Sequence, residues 1–378
     1  MSLRYTGAWL QDGAFNPLVA PPPPTYSPYL NAWGAGTSGT LGLGNTTYYS
    51  SPKQVGALTN WAFIASGADY SGAISSSGTL YMWGAGGFGC LGLGNTTDYS
   101  SPKQVGALTN WAIVSLGNVT TVAIKTDGTL WSWGRNSDGQ LGDGTTTNRS
   151  SPVQVGALTN WRNVSSGLNF CIAVKTDGTL WGWGQNNNGQ CATGNATSYS
   201  SPKQIGALTN WASISCGNAY CIAIKTDNTL WAWGINSSGQ LGTNSTTYFS
   251  SPVQVGALTN WARTSTASTA SFAITTTGQL YSWGNGNRGR LGLGNTTYYS
   301  SPKLVGALTN WSLLPKTYST GACASIKTDG TLWSWGVNAQ GQLGLGDTTN
   351  RSSPVQVGAS VNWLSIALGQ SNTLALIY

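Results

Sequence analysis

Residues able to do acid–base or metal chemistry are few in this chain. Its 378 residues include no His, and all ten acidic residues are Asp. The commonest general bases and zinc ligands are therefore missing. Asp127, Asp177, Asp227 and Asp329 follow Lys-Thr and precede Gly or Asn, the composition of a tight hairpin turn. Asp12, Asp69, Asp98, Asp138, Asp143 and Asp347 are scattered through other segments, with no pair suited to glycoside hydrolysis. The stretch "SDGQLGDGTTTN" (137–148) offers Asp138 and Asp143 to a hard cation, but no other loop repeats the pair, so both read as turn residues. The six cysteines fall in separate columns: Cys171, Cys221 and Cys323 share one repeat position, while Cys90, Cys191 and Cys216 replace Gln, Leu and Ser of other copies. This pattern predicts small buried thiols rather than a disulfide framework or a metal site. With no base to activate a thiolate, the chain reads as a non-enzyme without metal or cofactor.

The elements that carry these residues are strands. The chain is rich in Thr, Ser, Val and aromatics, with 52 Gly and only 7% charged residues, which favours an all-β fold over helices. The net charge of +7 reflects scarce acids, and the 17 Lys and Arg are spread evenly. No basic cluster is present to track a phosphate backbone, so dedicated nucleic-acid binding is not expected. No apolar run reaches membrane-spanning length and no signal-peptide core opens the sequence. Triplets such as Asn95–Thr97 match a glycosylation acceptor but read as turn chemistry.

Repetition organises everything else. Near copies of "SSPKQVGALTNW" place Trp at 61, 111, 161, 211, 261 and 311, and then at 363. "WG" recurs at Trp33, Trp83, Trp133, Trp183, Trp233, Trp283 and Trp335. A period near 50 with several strand signals per unit specifies a β-propeller blade. In residues 161–207 the strands are "WRNVSSG", "FCIAVK", "TLWGWG" and "SSPKQIG", with "KTDG" (175–178) as the hairpin. Pro202 suits an outer edge strand that needs no donor there. Pro315 should interrupt the first strand of repeat six. The C-terminal "NWLSIALGQSNTLALIY" supplies two strands and stops, and residues 29–56 supply the two that are missing. The expected architecture is an all-β, seven-bladed β-propeller (29–378) of four-stranded blades. N-terminal strands should complete the C-terminal blade, with Trp33 at the closure and a Pro-containing arm (1–28) outside the ring.

The phrase clearest at 117–155 and 325–357, "IKTDGTLWSWG…GQLG…TTNRSSPVQV", resembles the repeat of the regulator of chromosome condensation family. The resemblance covers residues 29–378 and implies a seven-bladed ring closed by an N-terminal contribution. Members of that family include exchange factors for small GTPases, β-lactamase inhibitors and phage-particle proteins. The family's frequent His after the first Gly is replaced here by Tyr70, Thr120, Phe170, Tyr220, Ala270, Ala322 and Asn372. The near-verbatim repetition and the arm's position are similar to phage versions, in which such an arm docks the propeller on the particle.

Two surfaces stand out as binding candidates. The tips between first and second strands vary most and offer Asp69, Tyr70, Asn169, Phe170, Tyr220, Lys316 and Tyr318. The rim alternates between Tyr49, Tyr99, Tyr199 and Tyr299, each with a Lys four residues on, and Arg149 or Arg351, each with a Val four residues on. The functional expectation is a phage virion-associated attachment module in tail, fibre or capsid, localised to the virion. Residues 1–28 would hold other virion or structural proteins, and the ring would face a host-surface protein or glycan. The alternatives are a soluble regulator or inhibitor gripping a protein with one face, and a carbohydrate-binding propeller.

Overall fold

A computed structural model describes residues 27–317 and 319–378. Seven sheets, antiparallel in their four main strands, form the blades of a ring, and outside blade six and the closing blade each strand pairs with its sequence neighbours. In the third blade the strands are Trp161–Ser166, Phe170–Lys175, Leu180–Gly184 and Tyr199–Gln204. The second strand is buried at every position because both sheet faces meet neighbouring blades. The fourth strand is exposed or half-buried throughout, as an outer edge must be. First strands of adjacent blades touch along the axis, where Ser115 Oγ accepts the Ser166 amide at 2.9 Å and Ser165 Oγ the Cys216 amide at 3.0 Å. Apart from three single 3₁₀ turns, the described residues contain no helix.

One indole stitches each blade to its neighbour. Trp83, Trp133, Trp183, Trp233, Trp283 and Trp335 donate Nε1 to the backbone carbonyls of Thr40, Cys90, Gln140, Gln190, Gln240 and Arg290 at 2.9–3.0 Å. Trp33 donates likewise to Gln342 at 3.0 Å. All seven rings are buried, and each removes roughly 150–250 Å² from water.

The ring shuts as the repeat phase requires. Tyr29–Gly34 pairs antiparallel with Asn372–Ile377, from Tyr29↔Ile377 to Gly34↔Asn372. Tyr49–Gln54 flanks it on the outside, and Trp363–Leu368 on the inside. Pro315 does break the first strand of blade six, which runs only over Trp311–Leu313. The backbone of Lys316–Thr317 crosses over and pairs in parallel with Ala367 and Leu368 of blade seven.

Candidate functional site

The loops that join one blade to the next shape one face of the ring. Each "GALTN" loop latches onto a hairpin by backbone bonds such as Thr126 N to Asn110 O (2.8 Å) and Thr176 N to Asn160 O (2.8 Å). The apolar residue of the loop stays in solvent. Leu58, Leu108, Leu158, Leu208, Leu258, Leu308 and Val361 are 45–50% exposed, one per blade. The hairpins add Asp127, Asp177, Asp227 and Asp329 to the same face, all exposed. For Asp177 the Thr179 hydroxyl and amide, at 2.6 and 2.9 Å, hold the carboxyl below its ordinary range. Burial raises Asp127, but bonds from Thr129 outweigh it and leave the group low. These carboxylates are therefore charged. The lysines of the same hairpins are not available to balance them at the surface. Lys125, Lys175, Lys225 and Lys327 are buried, with Nζ 4.9 Å from the ring centre of the first-strand Trp and 3.5–3.6 Å from that of the third-strand Trp. A bulge between Trp161 and Asn163 sets Trp161 opposite Lys175. The sequence reading missed this leucine ring, because an invariant string does not reveal which of its residues faces out.

The tip candidates divide. Tyr70, Phe170 and Tyr220 are buried between blades and are not surface contacts. Tyr70 Oη donates to Thr120 O at 2.7 Å and Tyr220 Oη to Ala270 O at 2.6 Å, each in the next blade. Each ring lies against a glycine, Gly67, Gly167 or Gly217, where a Cβ would collide with it. Asp69 is exposed and Asn169 half-buried; partial burial raises the Asp69 carboxyl above its ordinary value. The Lys316 side chain and Tyr318 lie outside the described residues.

At the rim, Lys53, Lys103, Lys203 and Lys303 lie 5.5–5.7 Å from the rings of Tyr49, Tyr99, Tyr199 and Tyr299. The Arg form works differently. Arg149 Nε pairs with Asp143 at 3.0 Å, and Arg351 with Asp347 at 2.5 Å. Asp143 also accepts from Asn136 and Thr145, so it is a buried anchor rather than a solvated turn residue. Asp138 pairs with Arg135 at 3.7 Å, and the two Asp are not turned on one centre. The Asn-Thr-Thr segments are turns, with Asn95 Oδ1 accepting the Thr97 amide at 3.0 Å.

The thiols need one correction. Cys216 and Cys221 form a disulfide. They are register partners on the first and second strands of blade four, the one blade with Cys in both columns. Cys90, Cys171, Cys191 and Cys323 are free and buried. Burial pushes the Cys90, Cys171 and Cys323 thiols up to about 12, which suits packing and not nucleophilic attack. Among the described residues no three Cys or Asp gather as metal ligands, and no helix is long and apolar enough to cross a membrane.

Seven four-stranded blades, closed by a shared N- and C-terminal blade and repeating one loop face, define a tandem-repeat β-propeller. The Regulator of chromosome condensation (RCC1) repeat matches residues 30–74, 77–124, 127–174, 177–224, 227–274, 277–313 and 329–376, and the chain belongs to that family. It is 45% identical over 67 residues to human Protein RCC2, a stretch covering 16% of this chain and 13% of the relative. The mouse protein is 42% identical over 67 residues, with the same coverage. Only a small part of either relative is thus spanned. The fold is similar to that of human WBSCR16, with a TM-score of 0.82 at 18% identity over 93% of this chain and 98% of that one. It is also similar to Prp20p from Saccharomyces cerevisiae, with a TM-score of 0.83 at 18% identity over 93% and 92%.

Proposed function

We propose that this chain is a non-catalytic, protein-binding module of regulatory type, and that its partner docks on the leucine-ring face. The observation that carries this reading is the sevenfold set of exposed Leu and Val, on the same face as the four charged hairpin Asp. Apolar side chains repeated on a rigid face fit the apolar centre of a protein interface. The surrounding carboxylates favour a partner with a basic rim. Proteins are also the ligands named for Prp20p, whose structure is described with its binding to Gsp1p and histones, and for yeast RCC1 bound by Kap60. The absence of His and Glu from the sequence, and the structural duties of the hairpin Asp, support binding over catalysis. The narrower reading as a virion attachment module draws no support from the family or from these structures, and the binding reading stands without it. Residues 1–26, which that reading uses as the anchor, lie outside the described residues.

The test replaces Leu108, Leu158 and Leu208 together by Asp. The variant should keep its circular dichroism and thermal midpoint and lose the proteins that cross-link to the unaltered chain in cells. Equal recovery of the same proteins by both forms defeats the assignment of this face.

A further inference from the structure

The groove between blades six and seven differs from its sisters. Its volume is about 550 Å³, against about 300 Å³ between blades five and six and about 320 Å³ between blades three and four. The cause is readable in the repeat. Every complete blade sets an aromatic residue on its third strand edge-on to its first-strand Trp: Tyr81, Trp131, Trp181, Trp231, Tyr281 or Trp333, at 5.2–6.2 Å between ring centres. The pair persists in blades one and five, where Ser75 and Thr275 replace the capping Lys. The aromatic pair, not the Lys, is thus the constant feature. In the closing blade the third-strand position is Asn31, and the position of the capping Lys is Ile377. Trp363 keeps its edge contact with Trp33 at 5.9 Å but faces no aromatic side chain at position 31.

The groove that results has an apolar wall and no capping Lys. Leu345, Val355, Val357, Trp363 and Ile377 line it, and Asn31 and Arg351 stand at its polar edge. The chain outside the described structure joins the ring at this place. Ser27 and Pro28 lead into Tyr29, whose register partner is Ile377, and Tyr29 and Asn31 share one face of the strand. Residues 1–26 hold Trp9, the sole indole among them. The span from Trp9 to Ser27 reaches up to roughly 60 Å when extended, far more than the width of one blade.

We propose that the blade six–seven groove binds residues 1–26 of the same chain, with Trp9 supplying the aromatic side chain that Asn31 lacks. The arm would then complete the closing blade's outer wall. The groove adjoins the leucine-ring face, since Leu208 and Leu308 line its sister grooves, but a contact within one chain does not depend on the function proposed for that face.

The test uses the full chain carrying benzoylphenylalanine at position 9. Irradiation should give cross-links within one chain to Leu345, Val357 or Ile377, with a yield independent of protein concentration. Asn31→Trp fills the groove and should lower that yield at least tenfold without lowering the thermal midpoint. If that variant does not fold, Leu345→Glu at the groove wall should give the same loss. Cross-links to other parts of the ring overturn the proposal. So do links between chains that rise with concentration, which would make a second copy the occupant, or a yield unmoved by either variant.

Discussion

Trp33 Nε1 donates to the carbonyl of Gln342 at 3.0 Å, joining residues 309 positions apart and tying the two halves of the closing blade to blade six. The same bond holds every other blade to its neighbour, but only here does it bear on the strand that joins the chain's two ends. Gln342 O also accepts from Thr373 Oγ1 at 2.8 Å, so losing the indole does not leave the carbonyl unmet. Trp33→Phe should therefore cost about 1–2 kcal/mol. Amide exchange should accelerate in residues 29–34 and 372–377. Trp183→Phe should cost a similar amount without loosening the closure strands. Equal exchange at the closure in both variants contradicts this role.

Tyr220 is a wedge, and its hydroxyl is bonded within the protein. It donates to Ala270 O at 2.6 Å, and burial pushes the phenol's ionisation well above its ordinary range. Tyr220→Phe should cost about 1–3 kcal/mol, and Tyr220→Ser about 3–5 kcal/mol through the cavity it leaves. Urea midpoints check both. A fully stable Tyr220→Ser protein would return this residue to the list of surface contacts.

These two residues show what the sequence makes legible. The repeat column alone places Trp33 in the closing blade, because blade phase depends only on local strand order. Tyr220 reads in the sequence as an exposed tip, because what covers it comes from the next repeat, 50 residues away in a copy with the same local pattern. The disulfide escaped notice for a related reason. Cys216 and Cys221 belong to different columns, and only the register across the turn makes them neighbours. Asp143 and Arg149 looked unrelated until the loop folded back on the fourth strand. The leucine ring was hidden by its own regularity.

Acid stability should depend on the hairpin carboxylates. Thr179 and its counterparts hold Asp127, Asp177, Asp227 and Asp329 below the ordinary Asp value. The stability they contribute is complete above the unfolded value of about 3.9 and is lost as pH falls through the lower folded values. Replacing all four by Asn should lower the thermal midpoint at pH 7. The gap from the unaltered protein should narrow below about pH 4 and close near pH 2. A gap constant from pH 7 to pH 2 argues against charge as the cause.

Thiol counting separates the cysteines. The native protein should resist alkylation at pH 8, since burial keeps its free thiols protonated. In denaturant without reductant, mass spectrometry should find label on Cys90, Cys171, Cys191 and Cys323. Adding reductant should label Cys216 and Cys221 as well. Full labelling of all positions before reduction removes the disulfide.

Ala192 occupies a place that the other blades give to glycine. Its φ is +56°, and the equivalent Gly42, Gly92, Gly142, Gly242, Gly292 and Gly344 lie between +71° and +75°. A left-handed conformation costs a residue with a Cβ about 1–2 kcal/mol. Glycine avoids that cost but gives the unfolded chain more freedom, which takes back part of the gain. Ala192→Gly should therefore stabilise the protein by about 0.5–1 kcal/mol. Gly142→Ala should do the reverse and by more, because a Cβ there would lie 2.7 Å from Nε1 of Trp183, whose indole bonds Gln140 O at 3.0 Å. Chemical denaturation of the two variants gives the signs directly. If Ala192→Gly destabilises, the third blade has adapted to its alanine, and the left-handed turn is not a cost it bears.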